Sequence, residues 1–183
     1  MTNLSSPQGD GLWTQGDDAA FAAYEGPPNG YASADFTATT GANGINSWYL
    51  SPEVEFRPGS RVVFHTRAQN NVAFADRLEI RACTNACLQG FVLSNPPFDI
   101  GNYTIFVGSI NPDLLNNDDP SGVSGYPNEW TRFEFGAEDG VPQSGFGRIG
   151  FRYFVTDGGP DGQNSFRIGL DSVRIDANPV ELR

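Results

Sequence analysis

Apolar and polar residues alternate along much of this chain with a period of two, the spacing of a strand that buries one face. Residues 148–155 (RIGFRYFV) place Ile149, Phe151, Tyr153 and Val155 on one parity and Arg148, Gly150, Arg152 and Phe154 on the other. Residues 76–82 alternate most cleanly, with Leu78, Ile80 and Ala82 set against Arg77, Glu79 and Arg81. Residues 61–67 (RVVFHTR), 103–110 and 130–135 predict further strands, as do 31–37 and the run beginning at Trp48. Pro52 places that last run at an edge or a bend, because proline cannot donate to a ladder. Clusters of Gly, Pro, Asn, Asp and Ser separate the runs, as at 27–30 (PPNG), 57–60 (RPGS) and 136–145, and mark turns. Residues 1–30 and 39–46 read as loop. No segment sustains a helical period, so at most one short helix is expected, around 17–24 or 111–116. About nine strands spaced by turn signals predict an all-β fold, an antiparallel β-sandwich of jelly-roll type with little helix. The boundaries read as an N-terminal remnant of a longer precursor (1–12), one sandwich domain (13–176) and a C-terminal tail (177–183).

The last hairpin holds one awkward residue. Turn formers fill residues 156–165 (TDGGPDGQNS) between the 148–155 run and the run 166–176 (FRIGLDSVRID). In the second run Asp171 shares its parity with Val173 and Ile175, which would turn a carboxylate inward. Such a group must be paired, hydrogen-bonded or bound to a metal. The alternative is a bulge near Asp171, since Phe166, Ile168 and Leu170 hold the opposite parity.

Charge narrows the function classes. The formal net charge is −11, and all eleven basic residues are Arg. Without Lys there is no Schiff-base chemistry, and without a cationic patch nucleic acid and anionic membrane are poor partners. Acidity suits solubility or divalent cations. Cys83 and Cys87, with His65 as the only His, cannot supply four zinc ligands. A disulfide across a turn, fitting an oxidising compartment, is the first expectation, with two free thiols as the alternative. No run is long and apolar enough for a membrane span or a signal peptide.

A set of blocks in order carries a resemblance: residues 26–31 (GPPNGY) with 34–36 (ADF), 45–52 (INSWYLSP), 75–81 (ADRLEIR), 125–130 (GYPNEW), 147–160 (GRIGFRYFVTDGGP), Ser165 and 168–173 (IGLDSV). Together they resemble the choice-of-anchor J family of exported bacterial proteins. The resemblance implies a jelly-roll β-sandwich similar to cleaved-adhesin and MAM-like domains, secreted or held at the cell surface by C-terminal sorting tails. It also implies a structural calcium in many relatives, an adhesive or carbohydrate-binding role and no enzymatic activity. The family's first strand and sorting tail are not matched here, and Cys83 and Cys87 stand where relatives carry Ser, Thr, Asn and Gly.

Candidate chemistry follows from the residues left over. A triad could be built only on His65, which lies inside a strand with no nucleophile-elbow motif nearby. Paired acids for glycoside hydrolysis remain open in a chain with this many carboxylates. For calcium, which takes six to eight oxygens, the candidates are Asp171 and Asp35, with Glu25, Asp18 and Asp17 in the adjoining loop. The alternative is that Asp171 pairs with Arg152, Arg148 or Arg67, or accepts backbone amides. For a carbohydrate, Arg67, Gln69, Asn70 and Asn71 after one strand and Asp157, Asp161, Gln163 and Asn164 after another would form one polar rim if both loops lie at the same end. Phe74, Tyr153 and Phe166 would stack on the ligand, and Trp130 with Tyr126 offers a second platform. The expected function is a non-catalytic extracellular binding or structural module, monomeric, with a polysaccharide or surface protein as partner. The alternatives are an accessory or catalytic domain of a carbohydrate-active enzyme and a ligand-free spacer.

Overall fold

The alternating runs pair into two antiparallel sheets. The computed structural model describes residues 1–70, 72–85, 87, 99–116 and 125–177. In chain order the strands are β1 (Thr2–Asn3), β2 (Ser6–Gln8), β3 (Thr14–Gln15), β4 (Ala32–Asp35), β5 (Thr39–Leu50), β6 (Val54–Phe56), β7 (Ser60–Ala68), β8 (Leu78–Thr84), β9 (Ile105–Ile110), β10 (Thr131–Phe135), β11 (Gly145–Gly158) and β12 (Arg167–Ala177). One sheet has the order β1-β5-β11-β8-β9, with β2 added on β5 and β6 on β11; the other has the order β10-β7-β12-β4-β3. The fold is an antiparallel β-sandwich of jelly-roll type. Its helical content among the described residues is two single 3-10 turns, Phe36–Ala38 and Ala137–Asp139.

The core lies between the sheets. Val62, Phe64 and Ala68 of β7 point inward, and Phe64 meets Phe151 of β11 edge-on at 5.2 Å. Ile149, Tyr153 and Val155 complete the inward side of β11. The opposite side of β11 is also closed. Trp48, Cys83 and Tyr103 form a second cluster against it, joined by Leu4, Leu50, Cys87 and Ile100. Beneath this cover Arg152 is only 2% exposed. It donates to Glu79 at 2.9 Å and to the Asn46 side chain at 2.7 Å, and its guanidinium lies 3.7 Å from the Phe154 ring centroid. The Cys83–Cys87 disulfide forms at the end of β8, with Cα atoms 5.5 Å apart.

Three sequence expectations change. Neither short helix forms. Asp17 and Asn111 turn their side-chain oxygens onto nearby amides, those of Ala19 and Leu115, which competes with a helical ladder and leaves single turns. Residues 39–46, read as loop, are the first part of β5. Pairing with β11 and β2 overrides the weak strand propensity of Gly and Asn there. Residues 1–30 contain β1, β2 and β3, short segments whose ladders are supplied by longer neighbours. The parity conflict in β12 is resolved by a bulge. The register with β7 shifts between Asp171 and Arg174, and Ser172 sits at φ 48°. Ile168 and Leu170 point inward before the bulge and Ile175 after it, so Asp171 lies on the outer face.

Candidate ligand-binding surfaces

At one end of the sandwich the two predicted loops meet. The Ala75 carbonyl accepts the Ser165 amide at 2.8 Å, and the buried Asp76 carboxylate accepts the Tyr153 hydroxyl and the Phe166 amide. The Ser165 hydroxyl in turn accepts the amide of Gly159. Only glycine fits at that position: its φ is +92°, and a Cβ would lie 2.3 Å from the Gly41 carbonyl oxygen. These bonds fix Phe166 parallel to Phe74, with centroids 6.3 Å apart, and beside Phe36 at 5.8 Å. Phe36 is presented by the 3-10 turn after β4, which the Asp35 side chain caps by accepting the Thr37 amide. The three rings, with Pro160 and the loop backbone, line a cleft of about 120 Å³. Phe36 and Pro160 also border a shallower depression of about 370 Å³, whose far wall carries Asp10, Thr37, Thr39 and Thr40. Phe74 is 39% exposed, and half-buried Phe166 lies against both it and half-buried Phe36, making an aromatic shelf beside a polar wall.

The predicted rim residues divide. Phe74 and Phe166 face the shelf. Asp157, Asp161 and Gln163 are exposed on the loop above it, and Asn164 shapes that loop by donating to the carbonyls of Thr156 and Asp157. Arg67 lies on the outer face of the second sheet, over the Phe21 ring and bonded to Asn70 and the Asn128 carbonyl, so neither Arg67 nor Asn70 lines the cleft. Asn71 falls outside the described residues. Tyr153 and Tyr126 are buried and offer no platform. Phe36 escaped the sequence reading, because the run 31–37 looks like an uninterrupted strand; the Asp-x-Thr pattern, an Asp that caps its own turn, was the available signal.

The outer face of the second sheet carries a larger groove. Gly169 leaves room for Phe21 and Trp130 to pack on the sheet, since a Cβ there would lie 2.7 and 2.8 Å from them. The segment carrying Phe21 then runs across β12 and lays the Tyr24 ring on His65, with centroids 3.7 Å apart and planes 14° off parallel. Asp171 anchors this strap. Its carboxylate accepts the amides of Tyr24, Glu25 and Ser172, while Glu25 accepts the Ser172 hydroxyl. Of the protein partners considered for Asp171, the backbone amides are the ones it meets: Arg152 is engaged with Glu79, and Arg148 with the Ser51 carbonyl. Tyr24, Glu25, Val63, His65, Arg132, Ser172, Arg174 and Asp176 line a groove of about 520 Å³. Burial lowers the pKa of His65, helped by the charges of Arg132 and Arg174 and opposed by Asp171 and Glu25. Its Nδ1 is buried and has no partner among the described residues.

The candidate calcium ligands are only partly gathered. Glu25 and Asp171 meet at the strap. Asp35 is at the other end of β12, sharing Arg167 with Asp17, and Asp18 is exposed. Among the described residues no three acidic, His or Cys side chains converge.

The fold is similar to that of cleaved adhesin domains. The K1 cleaved adhesin domain of Lys-gingipain from Porphyromonas gingivalis W83 superposes with a TM-score of 0.63 over 97% of this chain and 90% of that domain, at 17% identity. The K3 domain of the same protein superposes with a TM-score of 0.56 over 97% of this chain and 91% of that domain, at 16% identity. No protein-family model matches the chain, and no curated protein matches it. At these identities the likeness establishes the architecture, and function has to be argued from the two surfaces.

Chemically, the surfaces differ. The loop-end shelf offers flat apolar rings with hydroxyls beside them, a stacking site. The groove offers the stacked Tyr24 and His65 rings, charged groups of both signs, and an apolar floor at Val63. In the groove the Ser172 hydroxyl is already committed to the Glu25 carboxylate, at 3.0 Å.

Proposed function

We propose that this domain is a non-catalytic binding module of an extracellular bacterial protein, similar in role to choice-of-anchor J domains, and that it holds a carbohydrate chain on the loop-end shelf. The observation that supports this most is the exposed stack of Phe36, Phe166 and Phe74. The C–H face of a pyranose lies flat on such rings, and nearby polar groups fix its orientation. The cleft between the rings is far smaller than a site that encloses a substrate. The disulfide supports an oxidising, extracellular setting.

The test is binding to a panel of soluble polysaccharides by affinity electrophoresis. The wild type should be retarded by at least one of them, and Phe74→Ala should weaken that binding about tenfold while leaving the melting temperature unchanged, since Phe74 lies at the surface. Retardation by none of the panel would favour the ligand-free spacer. Retardation untouched by the substitution would remove the shelf from the proposal.

A further inference from the structure

The groove on the outer sheet face contains the one arginine, among the described residues, that the fold does not use. Of the ten arginines among the described residues, nine donate to a carboxylate, a side-chain amide or a carbonyl. Arg174 is the tenth: among the described residues it makes no hydrogen bond and no ion pair. In a chain of net charge −11, acidic groups are abundant, yet this guanidinium is left open. Its position is set by the bulge. After the register shift Arg174 stands opposite Val63 on β7, while Arg132 on β10 stands opposite His65. Arg132 is held by Glu134, so the two arginines flank the Val63 floor with only Arg174 uncommitted. Tyr24, half exposed and backed by His65, forms the wall beside them.

We propose that this groove is a second binding site, for a pyranose bearing a carboxylate, of the hexuronic-acid kind. The planar guanidinium of Arg174 takes the carboxylate in a two-pronged hydrogen bond. The sugar ring lies over Val63 with its C–H edge against Tyr24. Ser172, Glu25 and Asp176 are placed to meet ring hydroxyls, the last two as acceptors. Those two carboxylates also set the limit of the charge the groove accepts. One anionic group per ring is matched by Arg174, whereas a densely sulfated chain would meet Glu25 and Asp176 without compensation. The site is independent of the loop-end shelf, because no residue lines both.

The experiment is calorimetric titration of the whole chain with a galacturonate oligosaccharide and with its neutral galactose counterpart. Wild type should bind the acidic sugar saturably and about tenfold more tightly than the neutral one. Arg174→Gln, an exposed and conservative change, should erase that preference, and Tyr24→Ala should weaken both sugars. Phe74→Ala should leave the acidic sugar's affinity unchanged, which separates this site from the shelf. The proposal is overturned if wild type does not bind the acidic oligosaccharide, if Arg174→Gln retains the preference, or if Phe74→Ala abolishes it.

Discussion

Glu79 and Arg152 illustrate how far a buried charge depends on its neighbours. Burial by itself would raise the Glu79 pKa, but the Arg152 charge and hydrogen bonds from Arg81 and Arg152 outweigh it and lower the value. Burial pulls the Arg152 guanidinium down to about 10, opposed by Glu79, so both groups stay ionised at neutral pH. Because the folded pKa of Glu79 lies below the unfolded one, its contribution to stability is present above the unfolded pKa and lost as pH falls through the folded pKa. Glu79→Gln should therefore cost about 3–5 kcal/mol near neutral pH, the penalty of leaving a buried cation unpaired. Urea denaturation should find the gap between variant and wild type closing as pH falls below the ordinary range of a glutamate; a pH-independent gap would mean that the loss is one of packing. None of this was legible from alternation. Arg152 sits on the polar parity of its strand, and its burial depends on a cover supplied by distant residues, Trp48 and Tyr103. Asp171 was half legible: opposite parities before and after it implied a bulge, but its partners are backbone amides of the strap, which carry no sequence signature.

At the scale of elements, legibility follows the source of the stabilisation. β7, β8, β10 and β11 were read from their own side chains, because each alternates. β5 was missed over its first half, since Thr, Gly and Asn there form strand only through neighbours on both sides. The strap across β12 was also missed, and its docking rests on a residue without a side chain. Gly169→Val should push Phe21 and Trp130 off the sheet, costing about 1–3 kcal/mol in the manner of an overpacked site. It should also free Tyr24 from His65. Intrinsic Trp fluorescence and thermal melting would read both effects, and an unshifted emission with an unchanged melting temperature would contradict the packing role given to Gly169.

For the whole molecule, the sandwich and its resemblance to adhesin-type domains were readable because many weak blocks occur in a fixed order. The loop-end site was readable in part: the sequence could nominate two turn-rich loops, but not which side chains the backbone would aim at one point. The two sheets have different fates. One is sealed on its outer side by a second cluster; the other keeps its outer side for the strap and the groove.

That seal has a kinetic consequence. β11 is paired on both edges, by β5 and β8, and covered on both faces. Its central amides reach solvent only when the domain opens as a unit, so in hydrogen exchange they should be the slowest group and report the global unfolding free energy. Amides of the strap around Tyr24 should exchange through a smaller, local opening. Ligand in the groove would then slow the strap without slowing β11, and exchange protection confined to the strap would mark the occupied face without any knowledge of what occupies it.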